Sequence, residues 1–250
     1  MMNTKIALIG YGKMGRMLAS LAAEKGCEIV SKIDPQCSEC HPEINETSLR
    51  DAEVVIDFSH PSAAMQNMRK VIALGKPMVE ATTGWHSEVE SIRKLVLDGG
   101  TGFVYGANFS IGMSLFSRIV ADAVKYFDAF SAYDVMGLEM HHKQKADSPS
   151  GTAIELAKLI IANSSIKKEA LYDTCKRTIE PQELHFASVR GGNIPGTHTI
   201  SFDSEADTIE LTHRARSRMG FAYGALEAAK WVRNKQGFYS FSEVIADILC

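Results

Sequence analysis

The chain has 250 residues, 45% of them hydrophobic and 23% charged, with a formal net charge of −3. That is the make-up of a soluble globular protein with room for one large domain or two small ones. It excludes a basic nucleic-acid or membrane-surface binder, and no apolar run reaches the length that spans a bilayer. A strand pattern begins almost at residue 1, leaving no space for a cleaved leader, so the chain is expected to act in the cytoplasm.

Residues 5–9 are a short apolar run read as a strand, and residues 14–24 carry helical spacing. Between them stands Gly10-Tyr11-Gly12-Lys13-Met14-Gly15, a G-x-G-x-x-G that follows a strand and opens a helix. That context is what a dinucleotide fingerprint requires. Gly10 permits the tight turn, Gly12 lets backbone approach a pyrophosphate, and Gly15 lets helix and strand pack closely. The helix start adds free N–H groups for the phosphates.

Residues 27–33 predict the second strand, and Asp34 ends it at the distance from the glycine loop that the fingerprint expects. A carboxylate there accepts both adenosine ribose hydroxyls and repels a 2′-phosphate. No arginine stands within several residues, although Lys32 shares the strand face of Asp34. The reading leans to NADH, with NADPH tolerated. Cys37-Ser38-Glu39-Cys40-His41 matches the haem-attachment spacing C-x-x-C-H, but nothing directs export and no second C-x-x-C follows. The segment is read as a loop with two thiols, and no metal is expected. The odd count of five cysteines also argues against a disulfide framework.

Residues 53–58 predict a third strand, 63–74 a helix, 77–80 a fourth strand, 88–97 a helix and 102–105 a fifth strand. This alternation argues for a parallel sheet wound on both faces. Ligands of such sheets lie beyond the carboxyl ends of the strands. Phe58 and Ser59 after one strand, and Ala81, Thr82 and Thr83 after the next, are therefore expected to border the nicotinamide ribose and ring.

Near Asn108 the pattern changes. Residues 111–126 predict a long helix, 132–140 a strand, 152–162 a helix, and 184–189, 198–203 and 208–214 further strands. This describes an α+β unit on a mostly antiparallel or mixed sheet. A helix pattern returns at 221–232, where the chain would pack back on the first domain and make it discontinuous.

The most informative stretch runs from Glu139 to Ala153. His141 and His142 close a strand, Lys143 and Lys145 follow in a loop, and Ser150-Gly151-Thr152 leads into a helix. Histidine titrates near neutrality and is the usual proton donor. Lysine offers a point charge for a carboxylate. The N–H groups of Gly151 and Thr152 at a helix start can hold a second anion. One acid and two anion sites suit a small dicarboxylate reduced by hydride. From these residues alone, a basic solvated loop before a capped helix remains the alternative.

The stretch resembles the signature E-x-H-x-x-x-K-x-D-x-P-S-G-T-A of the 4-hydroxy-tetrahydrodipicolinate reductases, from Glu139 to Ala153. Other family-like segments follow in the family's order. They are the glycine fingerprint, Asp57-Phe58-Ser59, Ala81-Thr82-Thr83-Gly84, Ala107-Asn108-Phe109-Ser110, Arg190-Gly191-Gly192 and Thr212-His213-Arg214-Ala215. The resemblance covers almost the whole chain. It implies reduction of a cyclic dicarboxylate by NADH or NADPH, with His141 as general acid and Lys145 as its cationic partner. It also implies that His142, Lys145, Ser150, Gly151, Thr152 and Thr83 hold the substrate. Tyr11, Lys13 and Met14 of the glycine loop, with Ala107, Asn108 and Phe109, join the cofactor site on the same ground. The chain departs from the family at Met136 and Gly137, where an acidic and an aliphatic residue are usual, and at Pro195 and Thr197.

The expected fold is thus an α/β Rossmann domain (residues 1–107 and 219–250) with an inserted α+β domain (residues 108–218) for substrate binding and tetramerisation. The active site is expected in the cleft between them, and the family resemblance implies a homotetramer. Two rivals stand beside this reading. An aspartate dehydrogenase-like or sugar dehydrogenase-like enzyme explains the cofactor loop but not the whole of Glu139 to Ala153. A non-catalytic NAD sensor needs Asp34 but not His141 with Lys145.

Overall fold

The computed structural model describes residues 3–250. The chain opens with β1 (Thr4–Ile9), α1 (Lys13–Leu21), β2 (Cys27–Ile33), a one-turn α2 (Glu46–Leu49) and β3 (Val54–Asp57). It continues through α3 (Pro61–Ala73), β4 (Met78–Glu80), α4 (Val89–Gly99) and β5 (Gly102–Tyr105). Then come α5 (Ile111–Phe127), β6 (Asp134–His141), α6 (Gly151–Asn163), β7 (Glu169–Leu171), β8 (Glu183–Arg190), β9 (Thr197–Asp203) and β10 (Thr208–Arg214). The last elements are α7 (Met219–Val232), β11 (Gly237–Ser240) and α8 (Phe241–Leu249). Two compact units result, Met1–Ile111 with Arg218–Cys250, and Gly112–Ser217.

The first unit holds a six-stranded sheet in the order β11-β5-β4-β3-β1-β2, parallel at every pairing. Its central strand β3 is buried at all four residues, as a strand covered on both faces must be. Ala64, Met68 and Val71, spaced along one face of α3, pack against Val55 and Met78 from the sheet. The α3 start is set by Pro61 in the first turn and by His60, whose ring nitrogen accepts from the Ser62 N–H. The chain's last strand and helix, which no clear periodicity announced, complete this unit. Phe238 on β11 stacks on Phe103 at 5.2 Å, and Ser240 and Glu243 cap α8 reciprocally.

The contact boundary falls after Ile111, rather than after residue 107 as the sequence suggested, for a packing reason. Phe109 is buried against Phe241 at 4.7 Å, and its carbonyl lies where any side chain on Gly224 would sit, 1.7 Å from an ideal Cβ. The Asn108 to Ser110 turn therefore stays with the first unit.

The second unit is a five-stranded mixed sheet, β10-β9-β6-β8-β7. The pairings of β9 with β6 and β10 are antiparallel, and those of β8 with β6 and β7 are parallel. Val135, Leu184, Phe186, Ile200 and Phe202 line the face covered by α5 and α6. Gly137 and Phe186 are register partners, and a Cβ on Gly137 would stand 2.4 Å from the Phe186 ring. The departure from the family at Gly137 thus makes room for an aromatic ring on the neighbouring strand. Among the described residues, no helix is long and apolar enough to cross a membrane.

Candidate functional site

In the first unit the loop after β1 is built by close packing. An ideal Cβ on Gly10 (φ +83°) would stand 2.7 Å from the Phe58 carbonyl oxygen, and one on Gly15 would stand 2.2 Å from the Gly10 carbonyl oxygen. Either side chain would push the loop off β3 or the helix off the loop. At Gly12, the N-cap of α1, a Cβ would meet nothing within 4 Å, and no side chain caps the helix. The open, uncapped helix start is the cradle a pyrophosphate needs, so the residues fit a dinucleotide. Asp34 accepts from the N–H groups of Tyr11 (2.8 Å) and Gln36 (2.9 Å), which ties the end of β2 to the loop. A cavity of about 670 Å³ opens here, lined by Gly10, Gly12, Asp34, Phe58 and Ser59 among others. Lys32 and Arg16 both lie over the Tyr11 ring, at 4.6 and 4.9 Å from its centroid. Lys13 is exposed and Met14 half-buried on the first turn of α1.

The turns after β3 and β4 differ in what they present. Thr83 is exposed and Ala81 half-buried, but Thr82 faces inward. The Thr82 N–H donates to Glu80, its hydroxyl to Asp57, and its carbonyl accepts from the Trp85 indole. Ala107 is exposed and Asn108 caps its own turn by accepting from the Ser110 N–H. Phe109 has its ring in the core, so only its backbone can reach a ligand. Cys37 and Cys40 are free, half-buried thiols; burial, then the hydrogen bond with Cys37, pushes Cys40 up to about 11.

The second unit's chemistry is organised by Glu139, which the sequence placed in the signature without giving it a role. Its side chain is fully buried on β6. It accepts from the Ser150 N–H (2.9 Å), the Ser150 hydroxyl, the Ser188 hydroxyl (2.8 Å) and Arg190 Nη2 (2.7 Å). Burial opposes its ionisation, but the bonds from Ser150, Arg190 and Ser188 outweigh burial and hold the carboxyl at about 2. Ser150 also caps α6 by accepting from the Ala153 N–H, which leaves the first-turn N–H groups of Gly151 and Thr152 as donors. Arg190 reaches on to the Asp147 carbonyl (2.7 Å), and Lys145 pairs with the Asp147 carboxylate at 2.8 Å.

His141 is buried, with Nδ1 at 3.2 Å from Glu139 Oε2, near enough to feel the charge but without a hydrogen bond. On its other side a Cβ on Gly196 would stand 3.0 Å from Nε2, so the glycine keeps that nitrogen open. Burial lowers the His141 pKa, Glu139 pulls it up, and Lys145 and Arg190 lower it again, with a net fall below the usual value. His198 meets His141 edge-on at 5.2 Å and is held at about 4 by burial and by His141. His142 is half-buried, and its N–H donates to the Ile194 carbonyl. Nδ1 of His142 and Nε of Arg190 are buried without a hydrogen-bond partner among the described residues, which leaves both free to meet a ligand or water.

Glu139, His141 and His198 place ligand atoms within 4.8 Å of one another, the spacing of metal ligands. Yet the Glu139 oxygens already accept from four donors, and a guanidinium occupies the place of a cation. The arrangement serves proton chemistry better than metal binding. Glu139, Ser188, Arg190, Gly196 and His198 escaped the sequence reading of the site, because β6–β8 and β6–β9 register brings them together rather than any local spacing.

Comparisons with known proteins point to one family. The profiles described as "Dihydrodipicolinate reductase, N-terminus" and "Dihydrodipicolinate reductase, C-terminus" match residues 4–109 and 112–245. The chain is 36% identical over 245 residues to a 4-hydroxy-tetrahydrodipicolinate reductase of Christiangramia forsetii, covering 97% of this chain and 98% of that one. It is 37% identical to one of Staphylococcus aureus, covering 96% and 100%. A dipicolinate-bound dihydrodipicolinate reductase from Paenisporosarcina sp. TG-14 shares the fold, with a TM-score of 0.77 at 23% identity over 97% of this chain and 99% of that one.

Glu139 has a depressed folded value, so its stabilising share is full above the unfolded value of 4.5 and vanishes as pH falls to about 2. Urea unfolding should show Glu139→Gln less stable than wild type by about 3 kcal/mol near pH 7, because Arg190 loses a buried partner. That gap should close between pH 4.5 and about 2.

Proposed function

The chain belongs to the dihydrodipicolinate reductase family, and from that membership we propose that it is an NAD(P)H-dependent oxidoreductase reducing 4-hydroxy-tetrahydrodipicolinate, by way of dihydrodipicolinate, to tetrahydrodipicolinate in lysine and diaminopimelate biosynthesis. The two profiles together span both units, which leaves the aspartate dehydrogenase-like, sugar dehydrogenase-like and sensor readings without support. We place the reaction in the cytoplasm, where reduced nucleotide is available.

A reduced nicotinamide, when bound, supplies hydride. The first unit's task is to hold it. Gly10, Gly12 and Gly15 with the α1 start take the pyrophosphate, and Asp34 takes the adenosine ribose. Phe58, Ser59, Ala81, Thr82 and Thr83, with Ala107, Asn108 and the Phe109 backbone, border the other end.

The second unit holds the cyclic dicarboxylate. Lys145 and His142 take one carboxylate, and the N–H groups of Gly151 and Thr152 at the Ser150-capped α6 start take the other. Substrate loses water, hydride adds to the conjugated imine, and the electron density so gained is quenched by a proton from His141. The observation that carries this reading is His141 itself. It is buried, steadied by an ionised Glu139 on one side and kept open by Gly196 on the other. Docking of a dianion would offset the Lys145 and Arg190 charges and favour the protonated imidazole.

Steady-state kinetics test the assignment. His141→Gln should lower kcat by about 10²–10⁴-fold, the range for loss of a general acid, while NADH titration is unchanged. Lys145→Ala should lower kcat and raise KM, and His142→Gln should act mainly on KM. In the wild type, kcat/KM should fall as pH rises through a value below the usual 6.5 of histidine, since it reports the free enzyme's acid. If His141→Gln keeps more than about a third of wild-type kcat, outside the general-acid range, the assignment fails.

Cofactor choice follows from Asp34. NADH should be preferred and NADPH tolerated, with Lys32 and Arg16 supplying charge for a 2′-phosphate. Asp34→Ala should weaken NADH more than NADPH, by about the 1.5–3 kcal/mol of a charged hydrogen bond. A wild type at least about tenfold more efficient with NADPH, a gap of about 1.4 kcal/mol, would contradict this.

Assembly follows from the uncovered face of the second sheet. Met136, Leu138 and Met140 on β6 alternate with the core-facing residues, and Val189 on β8 lies on the same side. Met136 and Val189 are 43% and 48% exposed. We propose that symmetric burial of this face makes a homotetramer. Light scattering should give four times the chain mass, and Met136→Glu should lower it; a stable wild-type monomer at micromolar concentration would refute the assembly.

A further inference from the structure

Asp57 ends β3 and Glu80 ends β4, and the two are register partners on adjacent parallel strands. Their side chains therefore lie side by side on one face, and both residues are completely buried. Asp57 is well supplied with donors. Its Oδ1 accepts from the Ser59 N–H (2.7 Å) and the Thr82 hydroxyl (3.3 Å), and its Oδ2 accepts from Asn67 (2.8 Å). Glu80 is not. Its Oε1 accepts from the Thr82 N–H at 2.7 Å, while Oε2 is buried with no partner among the described residues. An ionised carboxylate with an unsolvated oxygen, next to a second carboxylate, carries a cost that a proton removes.

Among the described residues, no cation pairs with either carboxyl. The charge acting on Glu80 is that of Asp57. On β5 its register partner is Tyr105, a phenol. On α3, His60 is occupied with Ser62, Arg69 reaches Ser91, and Lys70 lines the dinucleotide cavity. On α7, Glu227 and Lys230 pair with each other at 2.6 Å, and Tyr223 lies beneath Lys25. In the turn after Trp85, His86 and Glu88 are exposed.

We propose that Asp57 and Glu80 share a single proton, carried by Glu80, and that this carboxyl pair is a positioning device fixing the Ser59 and Thr82 turns that border the cofactor. Asp57 anchors both turns, and Glu80 anchors the second through the Thr82 backbone. Burial, then the Asp57 charge, pushes Glu80 well above the carboxylate range, and burial raises Asp57 against the bonds from Ser59 and Asn67. The positioning half rests on the cofactor reading given above; the shared proton does not.

The sign is the reverse of that at Glu139. Glu80 is harder to ionise folded than unfolded, so folding takes up a proton, and stability falls as pH rises above the unfolded value of 4.5. Glu80→Gln keeps an acceptor for the Thr82 N–H and replaces the acid proton with an amide. Its Tm should exceed that of wild type at pH 8, and the difference should shrink towards pH 5. Difference infrared spectra, wild type minus Glu80→Gln at pH 7, should contain the carbonyl band of a protonated carboxylic acid. Glu80→Gln should bind NADH like wild type, whereas Glu80→Ala should weaken it about three- to tenfold, the worth of one neutral hydrogen bond. Absence of the protonated-acid band, or a Tm difference that does not change with pH, overturns the shared proton. Unchanged NADH affinity in Glu80→Ala overturns the positioning role. Titration of wild type with NADH tests the dinucleotide reading separately, since its failure would leave the infrared band in place.

Discussion

The second unit depends on one buried charge. Glu139 is fully enclosed, and a carboxylate in that position survives ionised only because four donors from two segments converge on it: both donors of Ser150 at the α6 start, and Ser188 and Arg190 on β8. The same bonds that keep it ionised fix the geometry around it. They hold the α6 N-terminus against the end of β6, and they turn Arg190 towards the Asp147 carbonyl in the lysine-bearing loop. His141, two residues along β6 on the same face, inherits its position and part of its charge state from this arrangement. A proton donor, a cationic loop and a helix start are thus brought into one place by a single acceptor.

The first unit solves a related problem by packing. Its glycine loop is fixed by the absence of Cβ atoms at Gly10 and Gly15, where backbone carbonyls already occupy the space. Its strand-end turns are fixed by buried carboxyls, which at these positions meet neutral donors rather than cations. The two units therefore use buried acids in opposite ways. Glu139 is ionised because Arg190 and hydroxyls surround it, whereas Glu80 lies beside another carboxylate and its Oε2 meets no donor among the described residues.

Much of this was legible in the sequence where the signal was local. The strands Cys27–Ile33, Gly102–Tyr105 and Thr208–Arg214 have the bounds their apolar runs suggest. The glycine loop, Asp34 and the stretch from Glu139 to Ala153 each declare themselves by short spacings. The missed elements were short or lacked a period: Glu169–Leu171 has three residues, and Gly237–Ser240 with Phe241–Leu249 gain their order from packing on Phe103 and Phe109. The missed site residues are those that only register can supply. Arg190 stands 51 positions from the carboxylate it neutralises, and Asp57 and Glu80 become neighbours only once β3 and β4 are aligned. Met136 and Gly137 looked like departures from the family, and one proves to be space for Phe186.

The central claim is that an ionised Glu139 raises the proton affinity of His141 against the effect of burial. An NMR titration of the His141 imidazole in the wild type and in Glu139→Gln measures this directly. The wild-type ring should titrate below 6.5, and removal of the Glu139 charge should lower it further, since that charge is the largest influence raising it. A wild-type value at or above 6.5, or one that does not move in Glu139→Gln, would contradict the account.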